Sequence, residues 1–145
     1  MAQQNRIFFN LDDHSQCIMT DKQLADFQVQ LEQCTEIQSL KIRNEYNNLQ
    51  DWQLQKLVQN LPNLKNLNTL KLLLTENQIT DEGANSISFS LKQCQQLTDI
   101  ELYLDANQIR YEGVLSIATA LRNLKMRLMM KEKKQLVQLS KTSVA

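Results

Sequence analysis

Glycine, proline and histidine are almost missing from this chain. Its 145 residues hold two glycines, Gly83 and Gly113, one proline, Pro62, and one histidine, His14. Two isolated glycines cannot make a phosphate-cradling loop, which needs several close together so that backbone N–H groups can surround an anion. One histidine leaves no Ser-His-Asp or Cys-His constellation with support elsewhere in the sequence. Asp12 and Asp13 have no third acidic residue spaced to complete a cation site. The three cysteines, Cys17, Cys34 and Cys94, are an odd number without metal-site spacing, which points to a reducing compartment. No stretch of eighteen apolar residues is present, so no membrane-spanning helix is expected. The start, MAQQNRIFFN, lacks the charged and apolar segments of a secretory signal. The expectation is an intracellular, non-secreted chain with no catalytic residues, no metal, no cofactor and no small-molecule substrate.

Net charge is also missing, but its absence is a cancellation. Residues 1–120 carry nine basic and fifteen acidic side chains, and residues 121–145 carry seven basic and one acidic. The chain therefore has an acidic body and a basic tail. What it has in abundance is amide: nineteen glutamines and thirteen asparagines. They stand between regularly spaced leucines and isoleucines, so they read as a solvated surface and not as a disordered polar tract.

The spacing of those apolar residues is the main signal. At steps of thirty, Ile37, Leu67 and Leu97 coincide, as do Leu40, Leu70 and Ile100, and Ile42, Leu72 and Leu102. Asn47, Asn77 and Asn107 form a column, followed by Leu49, Ile79 and Ile109. Phe27, Leu57, Ile87 and Ile117 form another, as do Leu31, Leu61, Leu91 and Leu121, and then Cys34, Leu64, Cys94 and Leu124. A repeat of this length predicts stacked units that share one continuous core. Within a unit the period changes. Leu70, Leu72 and Leu74 alternate as in a strand, while Leu54, Leu57, Val58 and Leu61, and Val114, Ile117, Ala118 and Leu121, recur at helical spacing. Asp21, Asp51 and Asp81 precede the helical runs and are expected to accept the free N–H groups of the first turn. Gly83 and Gly113 are expected to allow tight backbone passage there.

The stretch Leu67–Cys94 follows the pattern LxxLxLxLxxNxIxxEGxxxIxxxLxxC. This resembles a leucine-rich repeat of the ribonuclease-inhibitor type. The unit at 37–66 departs from it, with Asn44 at the third strand leucine and Gln53 at the glycine. The resemblance implies an α/β fold, a short curved solenoid with parallel strands concave and helices convex. It would have an N-terminal cap at 1–20, a helix at about 21–34, units at about 37–66, 67–96 and 97–124, and a basic cap or tail at 125–145. Parallel strands stack about 4.8 Å apart, whereas packed helices need about 8–10 Å, so such a stack must bend. Asn47, Asn77 and Asn107 are expected to turn inward and bond loop backbone of the next unit.

Two surfaces remain as candidates for binding. The outward strand positions give three rows across the units: Lys41, Lys71, Glu101; Arg43, Leu73, Tyr103; and Glu45, Thr75, Asp105. Arginine and tyrosine are over-represented at interface hot spots, and the resemblance implies a protein partner on this concave face, within an adaptor or a larger assembly. The alternative is the tail, where Arg122, Lys125, Arg127, Lys131, Lys133 and Lys134 alternate with Leu124, Met126, Leu128 and Met129. It would contact RNA or an acidic surface in a nucleic-acid-containing assembly, or cap the last unit through Leu128, Leu136, Val137 and Leu139.

Overall fold

The computed structural model describes residues 6–10, 19–34 and 36–142, with the backbone alone for Asn10 and residues 136–142. Asp12, Asp13, His14 and Cys17 lie outside the described residues, so the expectations placed on them find no counterpart here. Strand and helix alternate: β1 (Arg6–Asn10), α1 (Asp21–Glu32), β2 (Ser39–Arg43), α2 (Asp51–Val58), a 3-10 turn at Leu61–Asn63, β3 (Thr69–Leu73), α3 (Asp81–Gln93), β4 (Asp99–Tyr103) and α4 (Tyr111–Thr142).

The four strands form one parallel sheet in chain order, β1-β2-β3-β4. Strands that run parallel must be joined by a crossover, and each crossover between β2 and β4 carries one α-helix, with the 3-10 turn added between β2 and β3. The thirty-residue columns become rungs: Leu40 pairs with Leu70 and Leu70 with Ile100, and Ile42, Leu72 and Leu102 follow in the same way. β1 joins out of step, with Ile7 beside Leu40 and Phe9 beside Ile42. The helices form a second layer in which α1 meets α2, α2 meets α3 and α3 meets α4. The core lies between the layers, where Leu40, Ile42, Leu70 and Leu72 meet Leu54, Leu57, Ile87 and Leu91. Phe9 closes the β1 end against Phe27, ring edge to ring face at 4.7 Å.

The helix starts differ from the sequence reading. Asp21, Asp51 and Asp81 are the first helical residues and not the caps; Thr20 and Thr80 cap α1 and α3. The carboxylates of Asp51 and Asp81 reach forward instead. Asp51 accepts the Thr80 N–H at 2.8 Å and its hydroxyl at 2.6 Å, and Asp81 accepts the N–H of Arg110 at 2.7 Å and of Gly113 at 2.9 Å. Each aspartate thus accepts an N–H at the start of the following helix, where the dipole favours a negative charge. The glycines make room for it. A Cβ on Gly83 would stand 2.4 Å from Asp51 Oδ1, and one on Gly113 would stand 2.5 Å from Asp81 Oδ1. Neither glycine has a positive φ, so space and not backbone freedom is what glycine supplies. In the departing unit Gln53 fills the glycine position. Its amide accepts the Gln50 N–H and donates to the Met19 carbonyl, each at 2.8 Å.

The end of the chain also differs. Residues 125–142 continue α4 without interruption, so the division at 124/125 is not a structural boundary. The physical reason lies in composition. The 3-10 turn after α2 holds Pro62, which cannot continue a helix. The stretch after Leu124 has neither glycine nor proline and is rich in Leu, Lys, Arg, Met and Gln, all strong helix formers.

Candidate functional site

The asparagine column is part of the frame that positions the strand face. Asn77 is buried, and its Oδ1 accepts the N–H groups of Asn47 at 3.2 Å and Leu49 at 2.8 Å. Its Nδ2 donates to the carbonyls of Asn44, Leu74 and Thr75. Asn107 repeats the arrangement one unit on, accepting from Ile79 N–H at 3.0 Å and donating to the carbonyls of Leu74, Leu104 and Asp105. The bonds between units run to the preceding unit, opposite to the expected direction. Asn47 is buried too, and its Nδ2 donates to Asn44 Oδ1. Asn44 sits fully buried in the column of Leu74 and Leu104, and among the described residues its Nδ2 has no partner.

The outward side of the sheet carries the three predicted rows, and the structure ties their members together. The Lys71 ammonium pairs with the Glu101 carboxylate and lies 5.3 Å from the centre of the Tyr103 ring. The Tyr103 hydroxyl donates to Glu101 Oε2 at 3.1 Å. Glu101 is held below its ordinary carboxylate range, first by the hydrogen bond from Lys71 and then by that from Tyr103. Lys71 is raised above its ordinary value, chiefly by the bond to Glu101. Arg43 Nε, at the end of β2, pairs with Glu45 Oε2 at 2.8 Å just beyond the strand. Leu73 and Thr75 are half-buried between these clusters, and Asp105 is exposed.

Sequence reasoning missed Phe8. β1 places it beside Lys41, so the first row reads Phe8, Lys41, Lys71, Glu101. Its ring is 53% exposed and the Lys41 ammonium lies 4.6 Å from its centre. The alternation of Ile7 and Phe9 was the signal, because inward neighbours put the residue between them outward. The face therefore has an aromatic–lysine pair near each end, Phe8 with Lys41 and Tyr103 with Lys71.

The basic tail is less free than its sequence implies. Arg127 donates to the Cys94 carbonyl at 2.8 Å and Lys131 to the Gln95 carbonyl at 3.2 Å, which docks α4 on the loop that follows α3. Arg122, Lys125, Lys133 and Lys134 are exposed. Cys94 packs in the core, and burial pushes its thiol up to about 11. Cys34 is half-buried and donates to the Gln30 carbonyl at 2.9 Å.

Among the described residues the last unit has an open side. Leu102, Leu104 and Ile109 line an open hollow with Val114, Ile117, Ala118 and Leu121, and Val114 is 57% exposed. Leu128 packs against the edge of the core, while the side chains of Leu136, Val137 and Leu139 lie outside the described residues. Among the described residues no group of histidine, cysteine and acidic side chains is placed to hold a metal, and no helix is long and apolar enough to cross a membrane.

No protein-family model matches the chain, and no curated protein does. Among solved structures, one titled "Leiomodin-1 Actin-Binding Site 2 (ABS2)" is similar, with a TM-score of 0.57 and 19% identity over 94% of this chain and 88% of that one. At that identity the likeness is one of fold.

Proposed function

We propose that this chain is a non-catalytic protein-binding module, a short leucine-rich-repeat solenoid of the ribonuclease-inhibitor type, whose partner docks on the outward strand face. The observation that carries the reading is the set of exposed aromatic rings held by lysines on that face. Phe8 and Tyr103 keep large apolar surfaces in water, each beside an ammonium. The Lys71–Glu101–Tyr103 cluster fixes the tyrosine before any partner arrives. A ring that is already ordered loses little conformational freedom on binding. The thirty-residue register puts Arg43, Leu73 and Tyr103 on adjacent strands, within reach of one partner surface. The neighbour's printed name makes actin the first partner to test.

The test is binding by Phe8→Ala, Arg43→Ala and Tyr103→Ala variants, with Gln59→Ala and Lys92→Ala on the helix side as controls. Hot-spot truncations commonly cost about 2 kcal/mol, so Tyr103→Ala and Arg43→Ala are each expected to weaken the partner at least tenfold, about 1.4 kcal/mol. Loss on the helix side with silence on the strand side would move the site to the helices. A salt titration separates a protein partner from RNA on the basic tail, because phosphate contacts give a steep fall in affinity with salt.

A further inference from the structure

We infer that the uncovered side of α4 is a self-association surface, occupied by α4 of a second copy running antiparallel. The argument begins with α3. Its residues Ala84, Ser88 and Leu91 are buried, and α4 is the helix that packs beside it. Thirty residues on, Val114 and Ala118 are exposed and Leu121 is half-buried. Among the described residues no helix packs on the same side of α4 as α4 itself packs on α3.

The stripe does not stop at Leu121. At steps of three and four along the same side of α4 come Lys125, Leu128 and Glu132. Two charges of opposite sign, seven residues apart, interrupt an apolar stripe. Among the described residues neither Lys125 nor Glu132 makes an ion pair. Their spacing selects the occupant. If α4 of a second copy runs parallel, Lys125 meets Lys125 and Glu132 meets Glu132. If it runs antiparallel, with the two-fold axis between Leu128 and Met129, Lys125 of each copy meets Glu132 of the other. The same axis sets Leu128 against Met129, and brings residues 136–142 of one helix beside Leu115–Leu121 of the other. Opposite charges within an apolar helix seam fix its orientation, and like charges exclude the alternative. A two-fold interface of this kind is closed and uses one patch twice. Asp105 of the third strand-face row also lines the hollow beside this side of α4, so the two surfaces meet at that edge.

The test is sedimentation equilibrium of the full chain from micromolar to submillimolar concentration, with far-UV circular dichroism to confirm that each variant is folded. A reversible monomer–dimer equilibrium is expected. Lys125→Glu and Glu132→Lys should each weaken it at least tenfold, because each places like charges across the axis. The double variant Lys125→Glu, Glu132→Lys has the composition of the parent and should restore it to within about threefold, since the two effects couple across the pair. A chain that stays monomeric over the whole range overturns the proposal. So does a dimer indifferent to the single reversals, and so does a dimer that both reversals weaken but the exchange fails to restore.

Discussion

Units 67–96 and 97–124 have nearly the same apolar pattern and different environments. Leu72 and Leu102 stand side by side in the sheet, yet Leu72 is 1% exposed and Leu102 is only half-buried. β2 and β3 alternate between half-buried and buried, whereas β4 alternates between exposed and half-buried. Ala84 is fully buried while Val114, its larger counterpart, is mostly exposed. Nothing within the units accounts for this. Among the described residues the earlier unit has a neighbour on both sides and the later one has a neighbour on one. In a stack, burial belongs to the interface between units and not to the unit.

The sharpest way to break the comparison is to remove the same side chain from both units. Leu72→Ala should cost about 3 kcal/mol in urea unfolding, because a fully packed leucine leaves a cavity that its neighbours cannot close. Leu102→Ala should cost about 1 kcal/mol, since its surroundings are already half open and collapse more easily. Equal losses would mean that the side of β4 is covered in solution. A concentration dependence of the Leu102→Ala loss would point to a second copy as the cover.

Next in size is the asparagine column. Asn77 makes three bonds into the preceding unit, to the N–H groups of Asn47 and Leu49 and to the Asn44 carbonyl. Asn107 makes two, to the Ile79 N–H and the Leu74 carbonyl. Asn77→Ala should cost about 2 kcal/mol, the middle of the range for orphaning buried polar groups. Asn107→Ala should cost about 1 kcal/mol, because its site is only partly buried and water can replace the amide. A loss of less than about 0.3 kcal/mol for Asn77→Ala would count against these bonds as a source of stability.

The aspartate–glycine pairing gives a smaller effect and a cleaner cycle. Gly83→Ala should cost about 1–2 kcal/mol by crowding Asp51 Oδ1 and the Ile79 side chain. Asp51→Ala should cost about 1 kcal/mol through loss of its bonds to Thr80. If the carboxylate is what the glycine accommodates, the double variant should lose less than the sum. Strict additivity would leave the crowding to Ile79 alone.

These pairs also show what the sequence could and could not reveal. The inward rungs of β2, β3 and β4 were legible, because strand and helix periods are visible in one unit and the thirty-residue step aligns the next; β1, thirty-three residues out, did not follow that step. Asn77 and Asn107 were legible as loop residues, but the direction of their bonds was not, since a repeat reads the same toward either neighbour. The aspartates were misassigned for the same reason: a carboxylate near its own helix start also lies near the next one. Tyr46, Glu76 and Ala106 all take positive φ, at 57°, 54° and 53°, and occupy one thirty-residue column. No glycine or asparagine marks that column, so the left-handed turn had no local signal. The strand-face rows followed from register alone. The Lys71–Glu101–Tyr103 cluster did not, because it depends on rotamers that only neighbouring strands determine.

That cluster spans the two units and gives the smallest effect. Glu101 belongs to the later unit and its main partner, Lys71, to the earlier one. The folded chain lowers the carboxyl of Glu101, first through the Lys71 hydrogen bond and then through Tyr103. A carboxyl lowered by folding favours the native state above its unfolded value, and that contribution is lost as pH falls through the folded value. The expected window is therefore the acid side of the ordinary carboxylate range. All three groups face solvent, where water and salt screen such pairs, so the unfolding midpoint at neutral pH should hardly change in Lys71→Met. The titration of Glu101 followed by NMR is the more sensitive measurement. In Lys71→Met its pKa should rise toward the ordinary carboxylate value, and in the parent chain high salt should move it the same way by a smaller amount. An unchanged Glu101 titration in Lys71→Met would show that the rung between the two units is not a working ion pair, leaving Tyr103 to be positioned by its ring contacts alone.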